Sequence, residues 1–166
     1  MRILITGANG QLGRELANQY GDKKGVELIL AGRSDLDISN VKEVYRFVNE
    51  NKPDVIINCA ALTAVDKCES QIDMAYKINT IGPKNLAIAA NEIGAEIVQV
   101  STDYVFDGNT NKLLTEFDEV NPQTVYGKTK LEGEILVKNH NPKHYIVRTA
   151  WLYGDGNNFV KTMINL

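Results

Sequence analysis

Residues 3–13 of the chain read ILITGANGQLG, and this stretch decides the fold. A short apolar run is followed by Gly7, Gly10 and Gly13 and then by a segment with helical periodicity. In a turn from strand to helix, one glycine lets the chain reverse sharply, a second lets the backbone approach a ligand, and a third lets the helix pack close to the strand. The stretch therefore predicts a strand, a glycine turn and a helix in direct succession.

The GxxGxxG spacing at the start of a helix is typical of a phosphate site. The free N–H groups at a helix N-terminus and its positive dipole end both attract anions. Because the turn also begins a strand–helix–strand unit, it matches the context of a dinucleotide-binding fingerprint, whereas a tight turn without a ligand is the alternative. The predicted cofactor-binding residues of this turn are Gly7, Asn9, Gly10, Gln11, Leu12 and Gly13.

The same alternation of short apolar runs and helical segments continues along the chain. It predicts an α/β fold, a Rossmann-type doubly wound parallel sheet with helices on both faces, in one domain over residues 1–166. The apolar runs lack alternating polar residues, so we expect strands that are buried on both faces. Strands are predicted at 2–6, 27–31, 54–59, 96–100 and 144–148, and helices at 11–20, 41–50, 73–92, 124–138 and from 158 to 165.

Local signals refine these segments. Asn40 with Glu43 three residues later is a variant of the capping box that begins a helix. Gly82-Pro83 is expected to bend the long third helix, since proline removes a backbone donor and clashes with the preceding turn. Residues 102–123 have no clear period, and a loop of that length in a compact domain is typically functional.

Composition excludes several classes of protein. Apolar residues make up 43% of the chain and charged residues 23%, which is ordinary globular usage. The net charge of -3 and the absence of any run of like charge argue against a nucleic-acid surface. No apolar run approaches the length of about 20 residues that spans a bilayer, so we expect no membrane segment and a cytoplasmic location. Cys59 and Cys68 lack CxxC spacing or a nearby histidine, which predicts free thiols and no metal site.

A candidate proton donor lies in the fourth predicted helix. Tyr126 and Lys130 are four residues apart and so share a helix face, whereas Lys128 points away. A carbonyl that is reduced becomes an alkoxide and needs a proton, which a phenol can donate if its pKa falls from about 10 toward neutrality. A nearby ammonium and the positive ring of an oxidised nicotinamide both lower the pKa of a phenol. With the glycine turn upstream, this pair predicts a nicotinamide-dependent reductase.

Two further positions follow from where strands end. Ligands of open α/β sheets lie beyond the carboxyl ends of the strands, so Thr102 is the candidate to orient a substrate carbonyl, with Ser101 second and a simple strand end as the alternative. After the second strand Arg33 stands without an acid at the strand tip, which favours NADPH over NADH because a base accepts the 2′-phosphate. A solvated arginine is the alternative, and Asp35 leaves NADH open.

Five segments together resemble one family, the dTDP-4-dehydrorhamnose reductases of the extended short-chain dehydrogenase/reductase superfamily. Two of them, 101–108 and 148–154, are more specific than the superfamily motifs GxxGxxG and YxxxK, because related sugar epimerases and dehydratases usually differ there. The segments are 5–13 (ITGANGQLG), 58–66 (NCAALTAVD), 101–108 (STDYVFDG), 126–134 (YGKTKLEGE) and 148–154 (RTAWLYG).

The resemblance implies that NADPH reduces the 4-keto group of dTDP-4-dehydro-L-rhamnose. Tyr126 would then donate the proton, Lys130 would tune Tyr126 and bind the nicotinamide ribose, and Thr102 would position the carbonyl. Asp37 would accept the adenine amino group unless it caps a helix, and Asn79 would hold Lys130 through water unless it faces solvent. Ile38, Ala60, Ala61 and Thr63 are also implied at the cofactor, and Thr63, Val65, Asp103, Tyr104 and Trp151 at the sugar, with a core aromatic as the alternative for Trp151.

Members of this family are longer than 166 residues, so the resemblance implies that the lobe binding the substrate nucleotide is absent from this chain. We expect such a chain to bind cofactor and to reduce its substrate poorly. Two other functions stay open: a non-catalytic NADP-binding regulatory subunit, and a nucleotide-sugar epimerase or dehydratase. A homodimer is also left open.

Overall fold

The chain folds around one parallel sheet, as a computed structural model of residues 1–156 and 158–164 shows. The strands are β1 (Arg2–Thr6), β2 (Glu27–Ala31), β3 (Val55–Asn58), β4 (Glu96–Thr102) and β5 (His144–Thr149). The helices are α1 (Gln11–Tyr20), α2 (Val41–Asn51), α3 (Val65–Ser70), α4 (Ile72–Tyr76), α5 (Gly82–Glu92), α6 (Val125–His140) and α7 (Phe159–Ile164). The predicted Rossmann-type architecture is confirmed, although Asn165, the predicted end of the last helix, lies outside the described residues.

The strand order β2-β1-β3-β4-β5 places the chain's change of direction between β1 and β3. The chain leaves β1 toward β2 on one side and returns to β3 on the other, and all neighbouring strands are parallel. The helices α1 and α5, which follow β1 and β3, therefore pack on opposite faces and leave a crevice between them at the carboxyl edge of the sheet. Such a crevice is where open α/β sheets bind their ligands.

Two apolar clusters hold helices against the sheet. On one face Leu4, Ile56 and Ile97 of the strands pack with buried side chains of α2, α5 and α6. On the other face Ile3 and Ile5 pack against Leu16 of α1 and its neighbours. Helices thus cover both faces, and the sheet is the middle layer of three.

The expectation that every strand is buried on both faces is wrong for the two edge strands. Leu30 of β2 and Tyr145 and Val147 of β5 are exposed, with Tyr145 at 56%. An edge strand has a neighbour on one side only, and the cluster containing α1 reaches β1, β2 and β3 but not β5 among the described residues. Apolar residue type alone does not reveal which strands lie at an edge.

The predicted third helix, 73–92, is interrupted at the expected place in a different way. A π-helical segment, Lys77–Ile81, joins α4 to α5, and Pro83 lies in the first turn of α5. Pro83 has no N–H to donate to the carbonyl of Asn79, four residues earlier, and its ring would clash with that carbonyl in a regular α-helix. The widened turn relieves this clash, and π-turns of this kind are frequent at functional sites.

Other local predictions have mixed outcomes. Asn40 caps α2, since its side-chain oxygen accepts hydrogen bonds from the N–H groups of Lys42 and Glu43, as the capping signal predicts. Helix α3 was not predicted, because its six residues are too few to show a helical period. In the long loop 102–123, residues Asp103–Val105 form a 3-10 turn. Among the described residues, no helix has the length and apolar character needed to cross a membrane.

Helix α6 approaches the π-helical segment closely at Gly133. A Cβ atom added at Gly133 would overlap the carbonyl oxygen of Asn79, so only glycine fits there without a shift of backbone. We expect Gly133→Ala to lower the free energy of unfolding by about 2 kcal/mol, as overpacking does. Glu132→Ala, on the exposed side of the same helix, is the control and should change it by less than about 0.5 kcal/mol. Urea unfolding measures both, and equal values would contradict the close contact.

Candidate active site

A groove at the carboxyl edge of the sheet consists of two cavities that share Gly10, Cys59 and Ala61. The larger, of about 560 Å³, is of the size of known ligand pockets. Besides the shared residues it is lined by Gln11, Leu12, Gly13, Thr63, Val65, Val100, Ser101, Thr102, Asp103, Tyr104, Tyr126, Lys130, Thr149, Ala150, Trp151 and Leu152. The smaller is lined by Gly7, Gly32, Arg33, Leu36, Asp37, Ile38, Ser39, Ala60, Leu62, Met74, Lys77 and Ile78.

The glycine turn forms the floor between the cavities. Gly7 has a φ of 65°, and a Cβ there would lie 2.7 Å from the backbone nitrogen of Ala60. A Cβ at Gly13 would lie 2.5 Å from the carbonyl oxygen of Gly7. The first turn of α1 carries no acidic residue, so its N–H groups meet no competing negative charge from its own side chains. Glycine at positions 7 and 13 thus lets the turn pack against the backbone after β3 and lets α1 begin close to β1. We call this turn the glycine cradle, because the N–H groups at the start of α1 lie where they fit a diphosphate.

A buried chain of polar side chains holds the strand ends beneath this cradle. The hydroxyl of Thr6 donates to Asn58 Oδ1 at 2.6 Å, and Asn58 Nδ2 donates to Gln99 Oε1 at 2.7 Å. Asn58 Oδ1 also accepts from the N–H of Ala60 at 3.2 Å. These bonds link β1, β3 and β4 and direct the loop after β3 across the glycine turn. This role of Asn58 and Gln99 was not predicted from the sequence.

Two positively charged side chains line the smaller cavity. Arg33 lies there as predicted, and Lys77 of the π-helical segment lines the same cavity. Asp35, which left NADH open, is turned to the backbone, since its Oδ2 accepts from the N–H of Gly32 at 2.8 Å. Lys77 was not predicted, because a single lysine in a helical segment carries no signal and its approach to Arg33 depends on the fold.

Asp37 and Ile38 also line the smaller cavity. One carboxylate oxygen of Asp37 accepts from both the N–H and the hydroxyl of Ser39, at 2.9 and 2.8 Å. Asp37 therefore stabilises the turn before α2, which is close to the capping role left open for it. It also lines the cavity, and its contact with the adenine amino group stays a prediction. Ile38 packs its side chain against Gly82, where a larger residue would collide with it.

Tyr126, Thr102 and Tyr104 meet in the larger cavity. Tyr126 is 9% exposed, and its ring lies edge-on to that of Tyr104, with centroids 5.5 Å apart. The Thr102 side chain acts on the phenol of Tyr126 and lowers its pKa. The Thr102 hydroxyl also donates to Asp103 Oδ1 at 3.1 Å and accepts from the N–H of Tyr104 at 3.2 Å. The fold thus places the predicted proton donor beside the predicted carbonyl-orienting residue.

The chain's own groups set the pKa of Tyr126 in the direction opposite to the expectation. Burial raises the pKa of Tyr126, and the Thr102 side chain lowers it by less, with Asp103 raising it further. The lowering effect expected of Lys130 is not among these influences. At neutral pH the phenol is therefore protonated, which is the form a proton donor needs.

Lys130 is buried on the same face of α6 as Tyr126. It is 3% exposed, and its Nζ donates to the carbonyl oxygen of Val100 at 2.6 Å. Burial lowers the pKa of Lys130 to about 8, while Glu134 and Cys59 act to raise it. Ser101, the second candidate for the carbonyl, instead donates its hydroxyl to Glu134 Oε1 at 2.5 Å. The Ser101 hydroxyl thus bonds to Glu134, whereas the Thr102 hydroxyl bonds to Asp103 and Tyr104, which both line the larger cavity.

Asn79 does not face solvent, and it does not line the groove. Its Oδ1 accepts from the N–H of Leu62 at 2.8 Å, and its Nδ2 donates to the Leu62 carbonyl at 3.1 Å and to the Thr129 hydroxyl at 3.2 Å. It therefore ties the loop after β3 to α6 beside Lys130. The solvent alternative for Asn79 is wrong, and an action on Lys130 through water stays a prediction.

The remaining predicted sugar contacts, Thr63, Val65, Asp103, Tyr104 and Trp151, all line the larger cavity. Trp151 is 59% exposed with a φ of 54°, so the alternative of a core aromatic is wrong. Cys59 and Cys68 are both free, as expected. Asn9, predicted at the cofactor, is exposed and lays its side-chain amide against Gly32. In residues 1–156 and 158–164 no group of three or more His, Cys, Asp or Glu side chains could hold a metal ion.

Comparisons with known proteins decide the family. The family model described as "RmlD substrate binding domain" matches residues 1–166. The dTDP-4-dehydrorhamnose reductase of Aggregatibacter actinomycetemcomitans is 48% identical over 166 residues, which cover 99% of this chain and 56% of that protein. The chain belongs to the dTDP-4-dehydrorhamnose reductase family. It spans little more than half the length of the curated relatives it matches.

Solved structures agree with this assignment. A dTDP-4-dehydrorhamnose reductase from Clostridium acetobutylicum is 72% identical with a TM-score of 0.97, covering 99% of this chain and 59% of that one. A family member from Bacillus anthracis, solved in complex with NADP, is 46% identical with a TM-score of 0.95 and the same coverage. A UDP-Glc/GlcNAc 4-epimerase from Campylobacter jejuni, covering 89% of this chain and 52% of its own, has a TM-score of 0.79 at 22% identity, which shows only a shared fold.

The low pKa of Lys130 makes a prediction about stability in this member of the reductase family. Because burial lowers the pKa of Lys130 to about 8 in the folded chain, its ammonium form opposes folding below that pH. As the pH rises from about 8 toward the ordinary lysine pKa near 10.4, the folded state loses this proton first and the penalty disappears. We therefore compare the free energy of unfolding of Lys130→Met with that of the parent at two pH values. The difference should favour Lys130→Met by about 2–3 kcal/mol more at pH 7 than at pH 10.5.

Urea unfolding of both proteins at several pH values measures this difference, in which other titrating groups cancel. Lys128→Met, on the exposed side of α6, is the matched control and should show a stability difference that does not vary with pH. A pH-independent difference for Lys130→Met would contradict the lowered pKa.

Proposed function

We propose that this chain binds NADPH across the groove and supplies the catalytic half of a reductase for the 4-keto group of a dTDP-linked deoxysugar. The observation that supports this most strongly is the arrangement of Tyr126, Thr102 and Lys130 in one cavity that continues into the glycine cradle. The fit of the cradle to a diphosphate, together with the NADP complex of the Bacillus anthracis relative, supports the cofactor.

The residues of the chain divide the cofactor between the two cavities. The N–H groups at the start of α1 would hold the diphosphate, and Gly7 and Gly13 let α1 begin close to the strand ends beside it. Arg33 and Lys77 would hold the 2′-phosphate, while Asp37, Ile38 and Ala60 would line the adenine end. When bound, NADPH supplies the hydride that reduces the carbonyl.

The catalytic residues then handle the proton. Thr102 would orient the substrate carbonyl by a hydrogen bond, and Tyr126 would donate a proton to the oxygen as negative charge develops on it. Lys130 would stabilise the resulting phenolate as an ammonium. Because burial raises the pKa of Tyr126, the phenol keeps its proton until the carbonyl needs it.

The substrate proposed is dTDP-4-dehydro-L-rhamnose, reduced to dTDP-L-rhamnose. It rests on family membership and on the position of Thr63, Val65, Asp103, Tyr104 and Trp151 along the larger cavity. We further propose that the substrate nucleotide binds to a separate lobe, outside the matched half of the relatives. The free thiols Cys59 and Cys68 suit the cytoplasmic location that we propose, and a homodimer stays a prediction.

Oxidation of NADPH with dTDP-4-dehydrorhamnose, in a protein with the full length of the relatives, tests the function. We expect Tyr126→Phe to lower kcat by about 10²–10⁴-fold, since it removes the proton donor and keeps the ring. Tyr145→Phe, on the exposed edge strand β5, is the matched control and should leave kcat unchanged. No turnover in the parent and no effect of Tyr126→Phe would favour the regulatory subunit. Dinucleotide retained through purification, without net oxidation of added NADPH, would favour an epimerase or dehydratase.

The positively charged side chains of Arg33 and Lys77 in the smaller cavity predict a preference for NADPH over NADH. Each of Arg33→Ala and Lys77→Ala should weaken NADPH binding by about tenfold and leave NADH binding nearly unchanged, because NADH lacks the 2′-phosphate. Arg46→Ala, exposed on α2 and outside the cavity, is the control. Fluorescence titration of the 166-residue chain with both cofactors measures the affinities. Equal loss of NADPH and NADH affinity would place the 2′-phosphate elsewhere.

A further inference from the structure

A buried ion pair lies one helical turn beyond Lys130. Glu134, four residues after Lys130 on α6, is 0% exposed. Arg148 of β5 contacts it with two hydrogen bonds, from Nε to Oε1 at 2.9 Å and from Nη2 to Oε2 at 2.7 Å. The hydroxyl of Ser101 at the end of β4 donates to Oε1 as well. Both oxygens of the carboxylate therefore have donors, which come from two different strands.

Such a pair needs a reason beyond stability. Removing two charges from water costs more than their attraction returns in many proteins, and apolar residues of similar size would hold α6 to β4 and β5 equally well. What the pair adds at this position is a fixed negative charge beside the buried Lys130. A lysine in an apolar environment without such a charge loses its proton readily.

We propose that Glu134, fixed by Arg148 and Ser101, is a positioning residue that keeps Lys130 in its ammonium form inside the groove. The proposal rests on the proposed function only for the role of Lys130 in the reaction. Arg148 sets the strength of the effect, because its positive charge offsets part of the carboxylate's field at Lys130. The two hydrogen bonds from Arg148 hold both carboxylate oxygens of Glu134 in place.

The other charged groups around Lys130 act in smaller measure. Cys59, after β3, acts to raise the pKa of Lys130, but burial raises the pKa of the Cys59 thiol to about 11, so at neutral pH it carries no charge. Tyr126 on α6 is protonated at that pH, and Asp103 lines the same cavity from the 3-10 turn. Of the two groups that raise the pKa of Lys130 against the effect of burial, Glu134 acts more strongly than Cys59.

Titration of Lys130 by NMR, in the chain labelled with [13Cε]lysine, tests the proposal without cofactor or substrate. The Lys130 signal is assigned by its loss in Lys130→Arg. Glu134→Gln keeps the shape and the hydrogen-bonding oxygen but removes the charge, and we expect it to lower the Lys130 midpoint by about one pH unit or more. Arg148→Gln removes the offsetting positive charge and should raise the midpoint. Glu132→Gln, exposed on the same helix, is the matched control and should not move it.

The opposite signs separate charge from packing. Loosened packing in both variants would admit water and raise the midpoint in both, which would overturn the proposal, as would an unmoved midpoint in Glu134→Gln. If Glu134→Gln fails to fold, Arg148→Lys is the comparison, because it loses the bidentate contact but keeps the positive charge. A midpoint raised in Arg148→Gln and not in Arg148→Lys supports the proposal, whereas equal shifts or an unraised midpoint in Arg148→Gln overturn it. Failure of the parent chain to bind NADPH would overturn the proposed function and leave the titration result standing.

Discussion

The approach of the β1 turn to the loop after β3 is the constraint on which the site depends. It requires glycine at position 7, since any Cβ would meet the backbone of Ala60, and it brings the two halves of the groove together at Cys59 and Ala61. The buried bonds from Thr6 through Asn58 to Gln99 fix the same strand ends from below. A small displacement here would separate the glycine turn from Thr102, Tyr126 and Lys130.

Helix α6 brings Tyr126 and Lys130 to this edge of the sheet. Gly133 lets it lie against the π-helical segment that Pro83 imposes, and Asn79 in that segment ties the Leu62 loop to Thr129. Tyr126 and Lys130 are thereby held in the groove although both are buried. Burial shifts the pKa of Tyr126 upward and that of Lys130 downward, so each shift favours the uncharged form of its group. We propose that the ion pair of Glu134 and Arg148 opposes the lowering of the Lys130 pKa.

Local patterns predicted much of this architecture. The helix at Gln11–Tyr20 and the strands at Arg2–Thr6 and Glu27–Ala31 have the predicted bounds, because apolar period and glycine spacing are properties of neighbouring residues. The pair Tyr126 and Lys130 could be found for the same reason, since their spacing on one helix fixes their relative direction. Two local signals led to structures that the sequence did not specify, because tertiary contacts decided them. Gly82-Pro83 follows a π-helical turn, and the Asn79 side chain points inward and bonds to Leu62.

The sequence by itself determined the alternation of strands and helices, the glycine turn and the placement of Tyr126 and Lys130 on one helix face, because each depends on residues that are close together in the chain. Only the tertiary structure decided that Lys77 lines the same cavity as Arg33, that the Ser101 hydroxyl donates to Glu134, and that β2 and β5 are the edge strands. These contacts join segments far apart in the chain. Their geometry follows from strand order and helix packing, which no local period encodes.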